Sequence, residues 1–145
     1  MTRSGFVAVA RRPNVGKSTL VNAIVGTKVA VTSDKPQTTR RAVRGIANGE
    51  RDGERWQLVL VDLPGVQRPR DALTERMQRR VEAELRECDA VLFVLNGAER
   101  IGGGDRFIAR ALAASGVPVI AAVNKVDLLD TARIARALAT AAGLE

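Results

Sequence analysis

The sequence is poor in several things, and each scarcity excludes something. It has one cysteine, Cys88, so no disulfide can form within the chain. That residue reads as a small apolar member of a helix, and such cysteine usage fits a reducing cytoplasm. Aromatic residues make up 3% of the chain and tyrosine is missing, too few rings for a platform that stacks single-stranded bases. No apolar run approaches the roughly 20 residues needed to span a bilayer. Met1 to Gly5 does not lead into the apolar stretch of a secretion signal. Lysine is confined to Lys17, Lys28, Lys35 and Lys125, and every other basic residue is arginine.

What is present is the composition of one folded domain. The chain has 145 residues, 46% hydrophobic and 27% charged, enough for a single core and too apolar for disorder. The formal net charge is +7, which suits nucleic acid or an anionic surface as partner. The arginine and alanine bias behind that charge is equally the mark of a GC-rich genome.

Apolar periodicity divides the chain into alternating strands and helices. Phe6 to Ala10 reads as a buried first strand, followed by a turn and a helix from about Lys17 to Val25, which Gly26 ends. Thr27 to Arg41 reads as a long polar loop. Val43 to Ala47 and Trp56 to Val61 form an antiparallel hairpin with a loose loop, since Asn48-Gly49 and Asp52-Gly53 lie between them. Leu73, Met77, Val81, Leu85 and Cys88 mark one face of a helix, and Arg76, Arg79, Arg80 and Glu84 its other face. Val91 to Leu95 is a fourth strand. Asp105 is a candidate N-cap for a helix running to Ser115. Val117 to Val123 alternates little, as a strand buried on both faces does. Thr131 to Ala142 is an alanine-rich helix. The pattern predicts an α/β fold with a mostly parallel sheet, helices on both faces and one antiparallel strand. The fifth strand would lie at an edge despite an interior composition, so a further strand and helix are expected beyond Glu145.

Three strings follow apolar runs, in a fixed order. Arg11-Arg12-Pro13-Asn14-Val15-Gly16-Lys17-Ser18 reads as a phosphate loop. Its backbone N–H groups from Asn14 to Thr19, with the helix N-terminus, wrap phosphates. Gly16 allows close approach, Lys17 reaches the β- and γ-phosphates, and the Ser18 hydroxyl ligates magnesium. Arg11 stands where the pattern expects glycine. If that position needs positive φ, arginine costs on the order of 1–2 kcal/mol; its side chain would either crowd the nucleotide or supply charge to it. Asp62-Leu63-Pro64-Gly65 places a magnesium carboxylate at a strand end and a Gly65 N–H for the γ-phosphate, with an order–disorder switch on hydrolysis. Val66 stands where many GTPases carry a water-orienting glutamine, so turnover is expected to be slow or to depend on backbone groups, a cation or a partner. Thr39, or its neighbour Thr38, can close over the γ-phosphate and the metal. In Asn124-Lys125-Val126-Asp127, the Asp127 carboxylate can accept the paired N–H donors of guanine, which adenine lacks. Lys125 can lie over the base. Lys17, Thr39 and Gly65 are thus the candidate catalytic groups, and Ser18, Thr39 and Asp62 the candidate metal ligands.

Gly5-Phe6-Val7-Ala8-Val9, Pro13 to Leu20, Val29-Ala30-Val31-Thr32-Ser33 and Pro36-Gln37-Thr38-Thr39-Arg40 closely resemble the Era-like branch of the TrmE-Era-EngA-type bacterial GTPases. The stretch from Lys28 to Arg40 discriminates most within that class. The resemblance covers nearly the whole chain. It implies a P-loop NTPase fold, here a GTPase domain over residues 1–145, incomplete at its C-terminus and without the KH domain that grips RNA. It implies hydrolysis of GTP to GDP and phosphate, coupled to small-subunit assembly and 16S rRNA maturation in the cytoplasm. Mg2+ is the implied cofactor, with K+ near Asn14. The 16S rRNA and the small ribosomal subunit are the implied partners, mainly through the missing domain, with peripheral membrane association and no DNA. Three alternatives stand beside it. One is a nucleotide-impaired fragment, given Arg11, Val66 and the expected truncation. Another is an RNA-binding protein acting through Arg40, Arg41 and Arg44. The third is another GTPase of the same class.

Overall fold

The computed structural model describes residues 2–11, 17–26, 42–63 and 72–144. Five strands form one sheet: β1 (Thr2–Arg11), β2 (Ala42–Arg51), β3 (Glu54–Asp62), β4 (Ala90–Asn96) and β5 (Val119–Asn124). Their spatial order is β2-β3-β1-β4-β5. The pairs β1–β3, β1–β4 and β4–β5 are parallel, and β2–β3 is antiparallel. The helices are α1 (Lys17–Val25), α2 (Ala72–Arg86), α3 (Gly103–Ala114) and α4 (Thr131–Ala142), with a 3-10 turn over Val126–Leu128.

Alternation along the central strands sorts the core into two layers. Val9, Leu60 and Val94 face α1 and meet Val21, with Leu20 and Val25 packed at the margin. Ala8, Ala10, Val61 and Leu63 face the other way. They pack with Val81, Leu85 and Cys88 from the α2 region and with Ile108 and Leu112 of α3. Helices thus cover both faces, as the pattern predicted.

Several boundaries differ from expectation. The hairpin has a tight turn instead of a loose loop: Asp52 (φ 54°) and Gly53 (φ 78°) are both left-handed, the signature of a two-residue type I′ turn. Asn48 and Gly49 lie within β2, opposite Gln57 and Trp56. Helix α3 begins three residues early. Gly102 is its N-cap, and Asp105 sits in its first turn with Oδ2 accepting the Gly102 N–H at 3.2 Å. Cys88 lies just past α2, buried in the core. Strand β5 is exposed where burial on both faces was expected: Val119 is 40% and Ile120 60% accessible, since β5 is the sheet's outer strand. Helix α4 keeps its predicted limits because the Asp130 side chain accepts the Arg133 N–H at 2.8 Å and fixes its start.

Candidate functional site

The sheet order places a reversal beside β1. From β1 the chain passes through α1 to the β2–β3 side, and from β3 it passes through α2 to β4 on the opposite side. Such a switch point opens a crevice at the carboxyl ends of the strands. Arg11 ends β1, Asp62 ends β3, and Asn124 ends β5, all on that edge. Helix α1 starts there too, with Lys17 and Ser18 in its first turn. Its free backbone N–H groups and positive dipole end favour an anion. Three inter-strand steps separate β3 from β5, which at about 4.8 Å each gives roughly 14 Å. One ligand meeting both ends must therefore extend across β1 and β4.

Arg11 is in extended conformation, paired with Val94 of β4. Among described residues other than glycine, only Asp52 and Lys125 have positive φ. The strain conceivable for arginine at this position is therefore not incurred. The Arg11 Nε is buried within the protein.

At the far end, Lys125 holds φ 61° and ψ 29°. A left-handed lysine costs on the order of 1–2 kcal/mol, and such strain collects at functional sites. The conformation turns the chain from β5 into the 3-10 turn, where the Leu128 N–H donates to the Lys125 carbonyl at 3.2 Å. Asp127 is thereby presented on the exposed side of that turn. The strand end is braced by β4, because the Gly97 N–H donates to the Asn124 carbonyl at 2.8 Å. A Cβ at Gly97 would stand 2.8 Å from Val123 Cγ1 and 2.9 Å from the Asn124 oxygen. Only glycine permits that approach. Beside it, buried Asn96 accepts the Ala98 N–H at 3.0 Å and shapes the same turn. The sequence reading missed both residues, although a polar Asn-Gly pair closing an apolar strand was the available signal.

Asp62 is half-buried and bound by Arg44 of β2. Arg44 Nε and Nη2 both donate to Asp62 Oδ2, at 3.1 and 2.5 Å. Arg44, one of the arginines of the alternative RNA-binding reading, has its guanidinium on Asp62. Magnesium takes hard oxygen ligands, one or two carboxylates alongside phosphate oxygens and water. A carboxylate at the end of β3, level with the strand that feeds α1, fits that ion. Asn14, Val15, Gly16, Thr38, Thr39, Gly65 and Val66 lie outside the described residues, as do the side chains of Lys17 and Ser18. Thr19 is exposed on α1.

A helix N-terminus at one side of the carboxyl edge and a left-handed Asn-Lys-x-Asp turn at the other fit a P-loop GTPase fold. Comparison with known proteins agrees. Residues 6–125 match the family described as 50S ribosome-binding GTPase. GTPase Era of Leifsonia xyli subsp. xyli is 53% identical over 131 residues, covering 90% of this chain and 42% of that protein. GTPase Era of Streptomyces coelicolor is 49% identical over 94% of this chain and 42% of its own length. A crystal structure of an Aquifex aeolicus Era variant bound to GDP·AlF4− superposes with a TM-score of 0.71 at 32% identity, over 95% of this chain and 46% of that one. Era in complex with MgGDPNP and nucleotides 1506–1542 of 16S ribosomal RNA gives 0.69 at 33% identity, over 97% and 46%. The chain belongs to the 50S ribosome-binding GTPase family, and its kinship there is with Era. It spans less than half the length of these relatives.

Proposed function

We propose that the chain is the guanine-nucleotide domain of an Era-type GTPase, hydrolysing GTP to GDP and phosphate in the cytoplasm as a switch in small-subunit assembly. The observation that carries this reading is the convergence of Asp62, the start of α1 and the Asn124–Asp127 turn on one edge of the sheet. In this reading the N–H groups from Asn14 to Thr19 and the Lys17 ammonium hold the phosphates. Ser18, Thr39 and Asp62 hold magnesium, which supplies charge neutralisation at the transferred phosphate. Gly65 donates its N–H to the γ-phosphate. Asn124 and Lys125 shape the base pocket, and the Asp127 carboxylate reads guanine. Valine at position 66 cannot orient water, so turnover is slow unless K+ at Asn14 or a partner assists. The 16S rRNA is the proposed partner, gripped chiefly by the KH domain that the resemblance to Era implies, with peripheral membrane association a separate proposed contact.

Phosphate release from GTP and from ATP tests the reading, with Mg2+ present and K+ exchanged for Na+. GTP should be preferred, and K+ should raise the rate. Asp127→Ala should weaken GTP binding roughly 30- to 100-fold, the loss of a paired hydrogen bond to a charged acceptor. Equal use of ATP and GTP would contradict the assignment of Asp127.

A further inference from the structure

The ion pair at Asp62 is built by a local irregularity of the hairpin. Val43 pairs with Val61 and Gly45 with Leu60, so Arg44 is the additional residue of a β-bulge. A bulge re-aims the side chain it carries. The bulge is seated against α1: a Cβ on Gly45 would fall 2.5 Å from Val25 Cγ2 and 3.6 Å from Val21 Cγ1. The same helix starts at the phosphate loop. Arg44 thus reaches Asp62 from a segment held by the helix that would carry the nucleotide. Its side chain is 40% accessible and that of Asp62 16%, so the carboxylate is the more enclosed partner.

The chemistry of that oxygen is competitive. A carboxylate oxygen has about two lone-pair sites, and two guanidinium N–H groups converge on Asp62 Oδ2. Magnesium must either displace a donor or accept a second cation against the same carboxylate. Without metal, Arg44 supplies the counter-charge that a half-buried carboxylate needs. We propose that Arg44 is an internal counter-cation that holds the Asp62 carboxylate in the metal-free site and yields it to magnesium, thereby setting the Mg2+ concentration at which guanine nucleotide is tightly held. This rests on the GTPase reading above.

The test measures release of a fluorescent GDP analogue across a Mg2+ titration for the 145-residue chain and its Arg44→Gln variant. Melting temperatures of both, with EDTA and with Mg2+ but no nucleotide, accompany it. The half-saturating Mg2+ should fall roughly 3- to 10-fold in the variant, in keeping with the strength of a charge-assisted contact. The variant should melt lower than the parent in EDTA, and Mg2+ should narrow that gap. Arg44→Lys keeps the charge but loses the fork, and should lie between the two; it also serves if the glutamine variant does not fold. GDP binding with an unchanged Mg2+ requirement would overturn the role of Arg44 and leave the GTPase reading standing. Failure of every chain to bind GDP at saturating Mg2+ would overturn the reading and this inference with it.

Discussion

The two ends of the sheet are built from the same strands and differ in kind. The amino-terminal end is conventional. The Arg3–Glu54 pair spans 2.9 Å with side chains 76% and 54% accessible. Arg51 and Asp52 lie 3.7 Å apart, almost fully in solvent. These residues, with Arg55 and Trp56, line a depression of about 470 Å3 whose charges are of mixed sign. Asp89 accepts the Phe6 N–H at 2.8 Å and secures the strands there. A left-handed residue, Asp52, and a glycine against a neighbouring strand, Gly49 at Trp56, occur there too, but in and beside the exposed hairpin turn. The carboxyl end holds a more enclosed ion pair, and its left-handed Lys125 and close-packed Gly97 lie at the ends of outer and inner parallel strands. One end is tolerant and the other is over-determined, the arrangement expected where strain serves a site.

Mutations can sharpen or break that contrast. The largest expected effect belongs to neither end. Leu60 is fully buried between β1 and α1, so Leu60→Ala should cost about 2–5 kcal/mol in denaturant unfolding. Both ends should lose order together, because they share that core. Gly97→Ala should follow. The added methyl must displace Val123 or the Asn124 carbonyl, costing about 1–3 kcal/mol, and nucleotide affinity should fall further than the stability loss explains. An affinity that merely tracks stability would deny the turn its role in the site. Arg3→Ala should change stability by less than about 1 kcal/mol and leave nucleotide affinity alone. A larger effect there would break the contrast from the other side.

How legible the molecule was depended on whether a feature is set locally. Helix α4 was readable to the residue because Asp130 both caps it and precedes an unbroken helical run. Asp105 misled, since an aspartate three residues inside a helix and one at its cap look alike in sequence; its carboxylate reaches back to the Gly102 N–H. Two turn dipeptides lay between the apolar runs Val43 to Ala47 and Trp56 to Val61, and only strand register chose between them. Pairing Ile46 with Val59 and Gly49 with Trp56 leaves Asp52-Gly53 as the turn. The Arg44 bulge was illegible because it depends on Gly45 meeting Val25 of α1, a contact between segments twenty residues apart. The shared edge of Asp62 and Asn124 was legible because each ends an apolar strand, with Lys125 directly after the second, and parallel strands deliver their ends to one edge.

The most direct test of the account is a calorimetric titration of GDP and of ADP into the chain, with Mg2+ present. A carboxylate at Asp127 aimed at the paired donors of guanine predicts binding of GDP and at least roughly 100-fold weaker binding of ADP, since a site built to hydrogen-bond one base leaves its polar groups unpaired with the other. Equal affinity for the two would contradict the claim that the carboxyl edge of this sheet is a guanine-nucleotide site.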